Sequence, residues 1–357
     1  MPTRHGLGLV VVMACAMATP ARSSTGATQN MSTAIQVSDR YSLPSALNAL
    51  ARQGFRVDAV ATPEAPLLPQ KVVVVLSRPA GAAQPATDYR VVSDTRARKV
   101  EEDVNALAAK GYVLKGVTLA TGSVIGTGFA FVAVLERVSP PPEPLRQYRL
   151  AHTHGTPGDW KAFEQAGRDG FDVIDVIAQL DPNRSAAGDV TFVCEKRADG
   201  APVTFTVKAS GDAARVERDV NDLAAAGHTL RALWPGTYLL SALLSRASTT
   251  NATTRRYEID ADPITVPDVS SLSGRFIAWV RFNGEQVAAF DRAGSGRYAM
   301  VTDPVPDADS FRSAPVERAR DRVDVLVRRG YRPFWARYGK DDKGALTLSV
   351  ILEQRSQ

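Results

Sequence analysis

Cysteine is almost missing from this sequence. Two occur in 357 residues, Cys15 and Cys194, which excludes a disulfide-stapled scaffold and a cysteine-rich metal site. Histidine is nearly as scarce, with four in the chain, so a centre built on several imidazoles has few places to form. Beyond residues 6–18 there is no long apolar run, and a helical membrane span needs about 20 apolar residues. A strong excess of one charge is missing too: the net charge of +5 is too small and diffuse to point to nucleic acid. With 44% apolar and 23% charged residues, the chain has the composition of an ordinary globular protein. Its length allows two or three domains.

What is present is a repeat. Short helix-like segments end on Gly54, Gly111, Gly170, Gly227, Gly274 and Gly330, spaced 57, 59, 57, 47 and 56 residues apart. Each runs into two extended segments, the second usually closing on an arginine. A period of this size means small units that bury surface against one another. In residues 89–138, Tyr89-Arg90-Val91-Val92 reads as a strand. Val100, Val104, Leu107 and Ala108 then mark one buried helical stripe. Gly111 supplies the left-handed stop, and residues 112–117 and 129–138 read as strands. The predicted fold class is therefore α+β: tandem strand-helix-strand-strand units forming antiparallel sheets with helices on one face.

The helix recurs nearly unchanged. Val100-Glu101-x-Asp103-Val104-Asn105-x-Leu107-Ala108-Ala109-x-Gly111 matches Val216-Glu217-x-Asp219-Val220-Asn221-x-Leu223-Ala224-Ala225-x-Gly227. Leu47-Asn48-x-Leu50-Ala51-x-x-Gly54 is a shorter version. The fifth unit is the irregular one. Its helix is cut to residues 267–272, and Asn283-Gly284 is a hairpin signal between strands at 276–282 and 285–290. Ile277 and Val280 also fit a helical stripe, and that alternative stays open.

The linkers at 139–144 and 247–254 are rich in proline, serine and threonine, and a lone unit is marginal because it buries only about 60% of its unfolded surface. Three repeat pairs are expected: 32–138 (units 32–78 and 89–138), 146–247 (units 146–197 and 203–247) and 255–355 (units 255–292 and 297–355).

Tyr89-Arg90-Val91-Val92, then Val104-Asn105-x-Leu107-Ala108-x-x-Gly111-Tyr112, then a strand ending Glu136-Arg137, resembles a family of small bacterial domains of unknown function. The resemblance covers units two and four best, one and six partly, three and five poorly. Where that family has Gly-Trp, this chain has Phe55, Tyr112, Phe171, His228 and Tyr331 after its glycines. The resemblance implies a fold and says nothing of chemistry.

Residues 1–18 read as a secretory signal, with Arg4 before an apolar core and small residues after it. Val12-Met13-Ala14-Cys15 also resembles a lipobox, which makes Cys15 a candidate lipidation site; cleavage after Ala18 is the alternative. Either reading places the protein outside the cytoplasm, in the periplasm or on the outer membrane of a bacterium, with the membrane reached only through a lipid anchor.

Chemistry-bearing residues are few. His152 and His154 share a strand face with Asp159 nearby, a weak metal candidate, since a zinc site wants three ligands at fixed geometry. Cys194 reads as a buried strand thiol, and His228 as a packing residue. Gly126-Thr127-Gly128 precedes a strand, so a hairpin is read there and not a phosphate loop. Glu101, Asp103, Glu217 and Asp219, beside basic residues, read as a solvated helix face. Asn48, Asn105 and Asn221 lie beside the buried stripe, where an amide can bond a neighbouring strand's backbone. Eight arginines lie between 312 and 337, and Arg318, Arg322, Arg328, Arg329 and Arg332 form the candidate anionic contact, with lipid head groups or an acidic protein as partner.

No catalytic residue and no cofactor is assigned. The leading expectation is a non-enzymatic cell-envelope repeat protein that binds a protein or envelope polymer. The alternative is an envelope hydrolase or metal-dependent enzyme with its site in the third unit.

Overall fold

The computed structural model describes residues 32–63, 71–78, 87–123, 126–153, 160–179, 189–236, 238–248, 255–260, 275–282, 285–292, 297–304, 314–340 and 346–354. Six small units follow one another in this mixed α+β chain. Unit one is β1 (Ser32–Asp39), α1 (Leu43–Arg52), β2 (Arg56–Val60), β3 (Thr62–Pro63) and β4 (Lys71–Arg78). Unit two is β5 (Tyr89–Asp94), α2 (Ala97–Ala108), β6 (Tyr112–Ser123) and β7 (Gly126–Arg137). Unit three is β8 (Tyr148–Thr153), α3 (Lys161–Arg168), β9 (Phe171–Gln179) and β10 (Asp189–Lys196). Unit four is β11 (Val203–Ser210), α4 (Ala213–Ala225), β12 (Thr229–Pro235) and β13 (Leu240–Ala247). Unit five is β14 (Tyr257–Asp260), β15 (Arg275–Phe282) and β16 (Glu285–Asp291). Unit six is β17 (Arg297–Pro304), α5 (Ala314–Arg328), β18 (Tyr331–Lys340) and β19 (Leu346–Gln354).

Each unit's last strand lies between the other two and pairs antiparallel with both. The helices form where the sequence places an apolar stripe. Ala97, Val100, Val104 and Ala108 are the buried residues of α2, and Val216, Val220 and Ala224 those of α4. Every described helix ends on a left-handed glycine: Gly54, Gly111, Gly170, Gly227 and Gly330 have φ of +86°, +84°, +83°, +88° and +88°. A side chain there would be strained.

The cores lie between units. The core holding Leu47 and Leu50 of α1 includes Tyr89, Val132 and Val134 of unit two. That holding Val100 and Val104 of α2 includes Tyr148, Leu150 and Val193 of unit three. The next two join Phe163 to Trp234 and Val220 to Tyr257. Phe276 then joins Tyr298 and Met300. The series closes on itself, because Ala319, Val323 and Val327 of α5 share a core with Ile35, Ala59 and Val73 of unit one. α5 packs on β1 as α2 packs on β8, β18 packs against β2, and β3 joins the edge of β18 in parallel register, Thr62 opposite Arg337. Each helix is thus held between its own sheet and the next, and the chain forms a closed ring with the second strands inside.

This changes the meaning of the expected pairs. The linkers at 139–144 and 247–254 divide units, but shared cores span both junctions through Tyr148 and Tyr257. The physical reason is that an α-helix over a three-stranded sheet leaves its outer side bare, and the next sheet's back covers it.

In the fifth unit, residues 267–272, Gly274 and Asn283-Gly284 lie outside the described residues. Ile277 and Val280 belong to β15, which rules out the helical alternative for them. The cause is a β-bulge. Phe276 faces Phe290 and Ala278 faces Ala289, so Ile277 is an extra residue that breaks the period of two. The same bulge recurs at Asp58, Lys115, Ile174, Arg231 and Phe334, each four residues past its glycine.

Candidate functional site

The most repeated polar arrangement is a clamp between units. The Asn105 side chain, on α2, donates to the carbonyl of Tyr148 at 2.8 Å and accepts from its N–H at 2.8 Å. Asn48 does the same to Tyr89 at 3.0 and 2.9 Å, and Asn221 to Tyr257 at 2.9 and 2.8 Å. Each tyrosine begins the next unit's first strand and is buried. Its hydroxyl reaches back to accept the N–H of Val57, Leu114 or Leu230, the residue before the bulge, at 2.8, 3.1 and 3.1 Å. Burial pushes all three phenols above the usual tyrosine range. The sequence had shown the asparagines beside the stripe and the tyrosines at strand starts; that they meet is new.

Glu101 and Glu217 extend the clamp. A Glu101 carboxylate oxygen accepts from the Leu150 N–H at 2.8 Å, and Glu217 from Ile259 at 3.4 Å. They are not part of a purely solvated face; Asp103 is, pairing with Lys99 at 2.7 Å on the surface.

Two of the described joints carry other chemistry. At the third, Phe163 stacks between Phe192 and Phe205, centroids 4.2 and 4.1 Å away. Gly167 makes the close approach feasible, since a Cβ there would lie 2.3 Å from the Val203 carbonyl oxygen. At the closing joint, Asp324 stands where units one, two and four have asparagine and accepts from the Thr33 N–H at 2.6 Å.

The bulge positions carry a second set of links. Asp58, its side chain fully buried, pairs with Arg332 at 2.7 Å across the closing joint. Burial raises its carboxyl pKa, an effect that Arg332, Ser77 and Lys115 only partly offset. Arg231 pairs with Asp172 of unit three, and burial lowers the Arg231 pKa. Lys115 pairs with Glu136 at 3.3 Å, and Arg56 of unit one approaches the same carboxylate at 3.8 Å.

One inner-strand carboxylate breaks the pattern. Asp175 lies on β9 next to the Ile174 bulge, where units one, two and four have Ala59, Gly116 and Ala232. It is half-buried, and desolvation pushes its pKa up to about 6 against the bond from the Val176 N–H and the charge of Arg337. The folded-state pKa exceeds the unfolded value of about 4, so ionisation costs stability, a cost absent below about pH 4 and complete above about pH 6. Asp175→Asn is expected to raise stability by about 1–2 kcal/mol at pH 7.5, with the gain gone by pH 4. Urea unfolding at the two pH values checks this, and a pH-independent difference would count against it.

The sequence-predicted residues scatter. His152 bonds Thr191 Oγ1 through Nδ1 at 2.8 Å and meets Phe131 edge-on at 5.9 Å, a packing position between units two and three. His154, Asp159 and Cys15 lie outside the described residues. Among the described residues, no group of three metal-ligating side chains comes together. His228 Nδ1 bonds the Leu223 carbonyl at 3.1 Å at the end of α4. Cys194 is buried, and desolvation raises its thiol pKa, the opposite of an activated nucleophile. Of the candidate anionic contact, Arg318, Arg328 and Arg329 are exposed on and just beyond α5. Arg322 donates to the Thr302 carbonyl and pairs with Asp303, at 3.0 and 3.1 Å, while Arg332 is held by Asp58.

No protein-family model matches the chain, and no curated protein matches it.

Proposed function

We propose that the chain is a non-enzymatic, exported cell-envelope protein whose ring is a rigid scaffold for binding a protein or envelope polymer. The observation that carries this reading is the use made of the recurrent polar side chains. Asn48, Asn105, Asn221, Glu101 and Glu217 bond the backbone of the next unit. They hold the ring together. Each first strand runs parallel to its second, so the described strand-to-helix connections at 40–42, 95–96 and 211–212 leave the ring at one end, its loop-bearing end. Loops on a rigid frame are the usual place for recognition. No helix among the described residues is long and apolar enough to cross a membrane; envelope attachment through Cys15 belongs to this proposal.

Cross-linking of the tagged, exported protein in envelope fractions, followed by mass spectrometry, tests it. One dominant envelope partner is expected; retention of the protein in the cytoplasm would overturn the reading. The second reading, a hydrolase or metal-dependent enzyme centred on the third unit, is favoured by Asp175, which breaks the repeat with an elevated pKa.

A further inference from the structure

We infer that the glycine-turn end of the ring is a basic docking face for a membrane surface carrying anionic phosphate head groups. The inference rests on the envelope reading above. The topology sets up this face. All five described helices run from the loop-bearing end toward their glycines, so helix C-termini and third-strand ends gather at the opposite end.

Every unit contributes an exposed cation there: Arg52, Lys110, Arg168, Arg246, Arg256 and Arg329. None of these six has an acidic partner among the described residues, and exposed Arg137 and Arg328 enlarge the set. Other cations at this end are already paired, as Arg149 is with Asp169 at 2.8 Å and Arg197 with Asp199 at 2.7 Å. Among the described residues, the exposed acidic groups at this end besides the paired Asp169 and Asp199 are Glu143, in the linker, and Asp222, in the last turn of α4.

Helix dipoles account for a cation in the last turn of a helix, such as Arg52 or Arg168. They do not account for Arg246, on β13, or Arg256, the residue before β14. Apolar side chains share this end: Val138 and Leu145, which flank the linker, are 38% and 45% exposed, and Ile174 at its bulge is 51% exposed. Cations spread over six units, with scattered apolar groups among them, match an extended anionic plane better than one small ligand. The chain also enters β1 at this end. Ser32 follows Cys15 by 17 residues, a reach of up to about 60 Å, so an acyl anchor at Cys15 is compatible with a membrane on this side.

Of the arginines expected from sequence to contact anions, Arg328 and Arg329 belong to this face. Arg318 and Arg322 lie further toward the loop-bearing end of α5, and Arg332 is already paired with Asp58.

The test is co-sedimentation of the purified protein with phosphatidylcholine vesicles, with and without phosphatidylglycerol, at rising salt. Binding is expected only to the anionic vesicles and should weaken with salt. A variant carrying Arg52→Gln, Arg168→Gln, Arg246→Gln and Arg256→Gln should bind roughly several hundredfold more weakly, at about fivefold per cation. A control with Arg98→Gln, Lys161→Gln, Arg215→Gln and Arg318→Gln loses the same charge from the other end and should lose under about tenfold. Circular dichroism confirms that both variants are folded. Equal loss in the two variants, or binding to neutral vesicles, would overturn the inference. So would stoichiometric displacement by inorganic phosphate, which would mark a small-anion site. Protein retained in the envelope but indifferent to anionic vesicles ends the docking face alone; cytoplasmic protein ends the envelope reading.

Discussion

Asn105→Ala is expected to destabilise the protein by about 2–4 kcal/mol, a large effect for one half-buried side chain. The loss is not that of one hydrogen bond. Asn105 satisfies the N–H and the C=O of Tyr148 and also bonds the Glu101 carbonyl at 3.0 Å. Tyr148 is buried at the head of β8, so alanine strands two backbone groups away from water, at about 1–3 kcal/mol each. Asn105→Asp sharpens the point, because aspartate can accept from the Tyr148 N–H but donates nothing to its carbonyl. It should keep about half the lost stability. Denaturant midpoints for the two variants, read with unchanged slopes, check the prediction. A loss under about 0.5 kcal/mol for Asn105→Ala would show that the clamp is incidental.

Arg332→Met is the second large effect, expected to cost about 3–5 kcal/mol. It leaves Asp58 ionised, buried and without its partner across the closing joint. The reverse side of the argument is equally specific. In the double variant Asp58→Asn with Arg332→Met no charge is stranded, and most of the loss should be recovered. The pH dependence follows with its sign. Burial already raises the Asp58 pKa in the intact protein, and removing Arg332 raises it further. The penalty in Arg332→Met should therefore be full above the elevated folded-state pKa and shrink as pH falls toward about 4. A loss that stays constant with pH, or that the second substitution does not relieve, would contradict this account of the joint.

The unit was legible in the sequence because its signals are local. A stripe such as Val216, Val220 and Ala224 and a stop such as Gly227 are encoded within one or two turns. The backbone-bonding role of the asparagines was legible for the same reason. The ring was not. Its closing bond joins Thr33 to Asp324, 291 residues apart, and no local pattern distinguishes a last unit that meets the first from one that meets solvent. The linkers at 139–144 and 247–254 read as domain boundaries because proline and serine build no core, yet residues on both sides of each share a core. Bulges escaped notice because Asp58, Lys115, Ile174, Arg231, Ile277 and Phe334 have no residue type in common. The extra residue sets Ile277 and Val280, three apart on one strand, against the same core, which imitates a helix. Glu101 was misread for another reason: its neighbours Arg98 and Lys99 are surface cations, and they turn to Glu102 and Asp103 instead.

The central claim, that six shared cores close the chain into one ring, is tested most directly by nicking. Limited proteolysis at the linkers 139–144 and 247–254, followed by size-exclusion chromatography under native conditions, separates the two accounts. The ring predicts that the three fragments stay together and elute as one particle of the intact size, coming apart only in denaturant. Three independently eluting bodies would contradict it and restore the repeat pairs as separate domains.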